Sequence, residues 1–200
     1  MKRIITLVMA VFAIAYASAQ SHIKFNGATF GSTVENFILG FPEKPYLQNS
    51  YADIFNKNIC NGYECFLKVN AENWKCFIFS SRKTDTVFRT VCVNGWPSDL
   101  EEHLMLLVKA LEEKYGGHIE EKQEDLGYIS HGASYQKYKE MLALKYKVRN
   151  ANNQIIGEIR ISAAPWKAGS DGGCVELSYT DLAASAQATR EYNSIMHNAL

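Results

Sequence analysis

Five cysteines are the residues of this sequence with the widest chemistry, because a thiol can act as a nucleophile, a metal ligand or half of a disulfide. Zinc binding is not favoured, since there is no C-x2-C pair and no histidine between Cys60 and Cys92. We therefore expect structural disulfides or buried thiols, with at most two bridges because the number is odd. The candidates are Cys60, Cys65, Cys76, Cys92 and Cys174.

A catalytic cysteine is the alternative interpretation, and it would require a neighbouring base to generate the thiolate. Cys65, Cys76 and Cys92 fall in apolar strand patterns, which favours inert burial. A small hydrolase with a dispersed site, using a free cysteine or His131, stays open as an alternative function.

Histidines and carboxylates form no recognisable site. His118 and His131 flank the acidic stretch 120–125, but their spacing matches no metal motif, and a solvated acidic loop is the preferred interpretation. The remaining histidines, His22, His103 and His197, are expected at the surface or at helix ends. The pairs Glu112–Glu113 and Glu120–Glu121 point in different directions if helical, so we interpret them as solubilising.

Common enzyme signatures are also absent from the sequence, including G-x-S-x-G, H-E-x-x-H, the P-loop, G-x-G-x-x-G and the EF-hand loop. We assign no catalytic residue, metal or cofactor. Trp166, in the small-residue loop 164–173, is the one candidate binding residue, for a protein or a carbohydrate. The alternative is a ring folded back over the sheet edge.

The first 19 residues have the pattern of a secretory signal peptide. Lys2 and Arg3 precede an apolar run, Ile4–Ala15, which is followed by the cleavage pattern Ala17-Ser18-Ala19. The run is shorter than the roughly 20 residues that span a bilayer, and Gln20 in place of cysteine argues against a lipoprotein. We expect export to the periplasm or beyond, without membrane insertion.

Charge balance narrows the class of partner. The chain has 21 basic and 21 acidic residues and is 47% apolar. Nucleic-acid binding is not expected without a positive field, and the apolar fraction is too high for a disordered chain. Cleavage would remove two basic residues and leave the mature protein slightly acidic.

Hydrophobic periodicity predicts an α+β fold of antiparallel β-meanders with helices packed on one face. Capping boxes at Ser32/Glu35 and Ser98/Glu101 predict the first two helix starts, and Asp181 is a good N-cap for the last helix. The element order suggests two α-β-β-β units, 20–97 and 98–200, the second with the C-terminal helix; the two units can share one compact domain. Strands are expected at 63–69, 74–80, 86–94, 141–149, 154–163 and 174–179.

The two ends of the chain carry a pattern of their own. The segments 22–27 (HIKFNG) and 31–37 (GSTVENF), with the ending 175–181 (VELSYTD) before a helix, resemble small exported proteins of unknown function from Bacteroides-type bacteria. The resemblance implies a Gram-negative envelope or extracellular setting and transfers no activity.

These observations together favour an exported, non-catalytic module that binds an envelope or extracellular protein. A carrier of a small apolar ligand is a further alternative, because aromatic residues make up 12% of the chain.

Overall fold

A computed structural model describes residues 22–50, 59–69, 72–96, 99–120, 142–165 and 172–198. The helices are α1 (Val34–Leu39), α2 (Leu100–Tyr115) and α3 (Leu182–Asn198). The strands are β1 (Lys24–Phe25), β2 (Ala28–Thr29), β3 (Gln48–Asn49), β4 (Cys60–Val69), β5 (Glu72–Ser81), β6 (Val87–Trp96), β7 (Ile119–Glu120), β8 (Leu142–Arg149), β9 (Ile155–Pro165) and β10 (Gly173–Asp181). Among the described residues, no helix combines the length and hydrophobicity that crossing a bilayer requires.

Eight of the strands form one antiparallel sheet in the order β3-β4-β5-β6-β10-β9-β8-β7, and β1 and β2 form a separate hairpin. The two predicted meanders, β4-β5-β6 and β8-β9-β10, are joined edge to edge through β6 and β10. The α+β class is thereby confirmed. The short strands β3 and β7 were not predicted, because two residues carry no periodicity.

Both faces of the sheet bury apolar side chains. Successive residues of a strand point to opposite faces, so Cys76 and Phe77 of β5 belong to different layers. The larger cluster contains Cys76, Leu100, Leu104 and Leu111 of α2, and the phenylalanines of residues 22–41. The smaller cluster is on the side of Phe77 and contains Cys60, Phe77, Phe79, Val91, Val93, Ala164 and Cys174.

The apolar stripe of α2 packs as its spacing predicts. Leu100, Leu104 and Leu111 are buried, and α2 contacts β8, β9 and β10. The stripe of α3 is shorter than predicted, since Ala184 and Ala188 are buried but the side chains of its last turns are exposed.

The predicted capping boxes were wrong by one residue. Thr33 caps α1, its hydroxyl accepting from the backbone N–H of Asn36 at 3.4 Å, while Ser32 donates to the carbonyl of Thr29. The N-cap of α2 is Asp99, which has φ 59° and makes no side-chain capping bond.

Candidate functional site

Three cysteines form a row across three adjacent strands. Cys65 of β4 pairs in register with Cys76 of β5, and Cys76 pairs with Cys92 of β6. Cross-strand partners lie on the same face, so the three thiols point into the larger core cluster. The Sγ atoms of Cys76 and Cys92 are 3.0 Å apart, and both residues are 0% exposed.

In the structure no bridge joins any of the five cysteines, all of which lie in the described part of the chain. The 3.0 Å between the Sγ atoms of Cys76 and Cys92 is about 1 Å longer than an S–S bond. Every one of the thiols is buried.

The row does not have the properties of a catalytic thiol. The hydrogen bond with Cys76, together with burial, raises the pKa of Cys65, and burial raises the pKa of Cys76 well above its usual value. A nucleophilic cysteine requires the opposite, a lowered pKa and access to substrate. The geometry therefore favours the expectation of inert burial.

Cys60 and Cys174 lie apart from the row and from each other. Cys60 pairs with Ser81 at the end of β5, whereas Cys174 pairs with Gly95 of β6, which lies beside the start of β5. Nearly the whole strand separates them, on the order of 25 Å at about 3.3 Å per residue. A disulfide requires Cα atoms within roughly 7 Å, so these two cannot bridge within one chain.

A buried carboxylate, Asp181, joins the two ends of the described chain. Its Oδ1 accepts from the backbone N–H of Ala184 at 2.8 Å, and its Oδ2 accepts from that of Ile23 at 2.9 Å. The predicted N-cap of α3 is thus confirmed. His22 Nδ1 lies 3.1 Å from Asp181 Oδ1, so His22 is a partly exposed residue that is held against the fold.

His22 also needs a glycine beside it. A Cβ at Gly31, which has φ 77°, would lie within 2.7 Å of three atoms of the His22 imidazole. Gly31 is held in turn by its N–H, which donates to the carbonyl of Val87 at 2.9 Å. The N-terminal segment is therefore fixed on the sheet by both backbone and side-chain contacts.

A second polar cluster surrounds Asp85, in the turn between β5 and β6. Asp85 Oδ1 accepts from Tyr63 Oη at 3.0 Å, Ser80 Oγ at 2.5 Å and Asn61 Nδ2 at 3.2 Å. Burial, followed by the hydrogen bond and charge of Asp85, raises the pKa of Tyr63 to about 12. Because Tyr63 keeps its proton at neutral pH, it is a poor general base. We therefore interpret the cluster as structural, since its hydrogen bonds stabilise the turn between β5 and β6.

The remaining histidines make simple contacts near the surface. His118 Nδ1 lies 2.9 Å from Glu112 Oε1, and His103 Nδ1 lies 3.9 Å from Glu72 Oε1. In the described ranges, no group of three or more histidines, cysteines or carboxylates is arranged to hold a metal ion. His131 and Trp166 lie outside the described residues.

An open groove of about 470 Å³ runs along one side of α2, facing the start of β8. Its apolar lining comes from Leu104, Met105, Val108 and Leu142, and its charged lining comes from Glu101, Lys109 and Glu112. Met105 is 64% exposed there. The groove was not predicted from the sequence. The available signal was Met105, an apolar residue that lies outside the buried stripe of the amphipathic helix α2.

A smaller cleft of about 290 Å³ lies between residues 42–45 and strand β4. Phe66, which is 65% exposed, contributes to its lining. Glu43 Oε2 and Lys68 Nζ lie 4.0 Å apart in its wall. With Lys44, the lining has two cations against one carboxylate, so its charge balance is opposite in sign to that of the groove beside α2.

The described residues thus define an α+β protein with a buried thiol row and an open, partly apolar groove beside α2. No family model, curated protein or solved structure matches the chain. The resemblance to Bacteroides-type exported proteins stays a prediction.

Proposed function

We propose that the protein is an exported, non-catalytic interaction module that binds a segment of another protein in the groove beside α2. The observation that carries the proposal is the exposure of Met105 at 64% in an open groove of about 470 Å³. Methionine is common at binding surfaces that adapt to different side chains, because its unbranched thioether side chain is flexible and polarisable.

Charge indicates the kind of segment. Two carboxylates, Glu101 and Glu112, line the groove against one cation, Lys109, and Glu102 and Glu113 are exposed on the same helix. An acidic surface attracts a basic partner and disfavours an acidic one. The partner that fits is therefore a segment with apolar side chains flanked by lysine or arginine.

Two amphipathic peptides with identical leucine spacing would test this proposal, one with lysine and the other with glutamate at its polar positions. Titration into isotope-labelled protein, followed by amide chemical shifts, should perturb residues 104–112 and Leu142 with the lysine peptide only. Equal binding of both peptides, or shifts confined to another surface, would contradict the proposal. Perturbation of these amides by a fatty acid such as octanoate, with no response to either peptide, would instead favour the apolar-ligand carrier.

Two exposed side chains on α2 provide a matched pair of variants. Met105 lines the groove, whereas Leu106 is 60% exposed and is not part of the lining. Met105→Ser should weaken binding of the lysine peptide about five- to tenfold, the range of a moderate interface contact. Leu106→Ser removes a similar exposed apolar group and should leave the affinity unchanged. Equal losses in the two variants would place the binding elsewhere.

Export is supported by the signal-peptide pattern of residues 1–19. Expression of the full chain in a Gram-negative host should give a periplasmic or extracellular product that begins at Gln20, as intact mass would show. A product that keeps residues 1–19 would refute export by this signal.

The dispersed-site hydrolase has less support. Its cysteine nucleophile would have to come from thiols that are all buried, and the pKa of both Cys65 and Cys76 is raised. Its other candidate, His131, lies outside the described residues.

A further inference from the structure

We propose that the row Cys65–Cys76–Cys92 is a disulfide-forming site in which Cys76 is the shared central partner, so that the chain holds one bridge at a time. The register places Cys76 directly opposite both other cysteines. The favoured bridge is Cys76–Cys92, because these two Sγ atoms already lie 3.0 Å apart and need only a small rotation to bond.

The rest of the sheet excludes other pairings. Cys60 and Cys174 point to the opposite face and lie at opposite ends of the strands, so neither can reach the row or the other. Cys65 and Cys92 are separated by the intervening strand β5. Any intramolecular disulfide therefore includes Cys76, and the sequence limit of two bridges falls to one.

The reaction consumes an external disulfide as its oxidant, either a small organic disulfide or the disulfide of an exchange protein. One thiolate of the row attacks the external disulfide, forms a mixed disulfide and releases one thiol. The neighbouring thiolate then attacks the protein sulfur of that mixed disulfide, forms the Cys76–Cys92 bond and releases the second thiol. Two protons and two electrons leave the row, and the external disulfide is reduced to two thiols.

The third thiol allows the bridge to move without further oxidation. Cys65 lies directly opposite Cys76 in the register, so before the sheet closes its thiolate can attack the sulfur of Cys76 and release Cys92 as a thiolate, which then takes up a proton. Because all three sulfurs are buried once the sheet has formed, we place the oxidation during folding, before the strands close over them.

Refolding the reduced chain with a mixture of oxidised and reduced glutathione tests the proposal directly. After alkylation under denaturing conditions, intact mass should show three labelled thiols of the five. Tryptic mapping should link the peptide 76–82 to the peptide 90–109, and a minor species should link 76–82 to 58–68 through Cys65, which fragmentation distinguishes from Cys60 in the same peptide. Labelling of all five thiols, or a bridge that includes Cys174, would overturn the proposal.

Single substitutions then test the shared role of Cys76. Cys76→Ser should abolish every intramolecular bridge, and Cys92→Ser should redirect the bridge to the link between 76–82 and 58–68. Cys60→Ser is the matched control and should retain the wild-type link. If Cys76→Ser does not fold, Cys92→Ser decides the question. A bridge between Cys65 and Cys76 in that variant supports the shared role of Cys76, and the absence of any bridge contradicts it.

Discussion

Replacing Asp181 with alanine should destabilise the protein by about 2–5 kcal/mol, because one buried carboxylate satisfies donors from both ends of the described chain. Asp181 is 0% exposed. It accepts from the backbone N–H groups of Ala184 and Ile23 at 2.8 and 2.9 Å and lies 3.1 Å from Nδ1 of His22. Each contact contributes to the expected loss by a different mechanism.

Loss of the N-cap at Ala184 should cost about 1 kcal/mol. The buried N–H of Ile23 would lose its partner, which costs about 1–3 kcal/mol. The His22 side chain is 30% exposed, so water screens its contact, and that contribution is about 0–1 kcal/mol. The total is large compared with a typical stability of about 5–15 kcal/mol, yet it should leave a folded protein to measure.

Asp181→Asn separates hydrogen bonding from packing. An asparagine has one oxygen and one NH2 group, so in either orientation its NH2 group faces a donor that the carboxylate oxygen accepted. We expect a loss of about 2 kcal/mol in spite of the nearly unchanged shape. His22→Ala, which removes only the most exposed of the three contacts, should cost no more than about 1 kcal/mol.

Urea unfolding at neutral pH, followed by tryptophan fluorescence, would measure these differences by linear extrapolation. The reasoning is refuted if Asp181→Ala loses less than about 1 kcal/mol, the value of the cap alone. It is also refuted if His22→Ala lowers the free energy of unfolding as much as Asp181→Ala does, because the partly exposed contact with His22 would then account for the whole effect.

Three further predictions concern stability. The pKa of Tyr63 is raised to about 12, so the protein should lose stability as pH rises from 10 to 12, by no more than about 1–2 kcal/mol because the ring is partly exposed. Urea unfolding at pH 8, 10 and 11 should show a weaker pH dependence of stability for Tyr63→Phe than for the wild type. Gly157→Ala should cost about 1–3 kcal/mol by calorimetry, because its Cβ would lie 2.5 Å from Ile23 Cγ2, whereas Gly117→Ala, with no described atom within 4 Å, should be nearly neutral. Leu104→Ala should cost about 2–5 kcal/mol in urea unfolding, and a loss below 1 kcal/mol would contradict its burial in the core.

The strands and the long helices could be predicted because their periodicity is local. Alternation along 142–149 identifies β8, and the spacing of Leu100, Leu104 and Leu111 identifies α2. Asp181 was recognised as an N-cap from its position before an apolar helix. Its bond to Ile23 could not be predicted, since the two residues are 158 positions apart and the bond depends on how the segment packs.

The cysteine row shows why register is harder to predict than the strands themselves. A four-residue link over 70–73 would place Cys65 opposite residue 78, whereas the observed pairing of Val69 with Glu72 places it opposite Cys76. At the next turn, an irregularity between Phe79 and Ser80 shifts the pairing again. A difference of one or two residues in a turn therefore determines whether the thiols meet.

The contacts of Asp181 also give a physical reason for the pattern at the two ends of the chain. Ile23 and Phe25 of the opening segment pack against the ending Tyr179-Thr180-Asp181, with the Phe25 and Tyr179 ring centroids 4.8 Å apart and the Ile23 N–H on the Asp181 carboxylate. These two segments, although distant in sequence, thus close one core. These contacts explain how the two segments pack together, and they do not extend to the groove at Met105, where we propose that a partner binds.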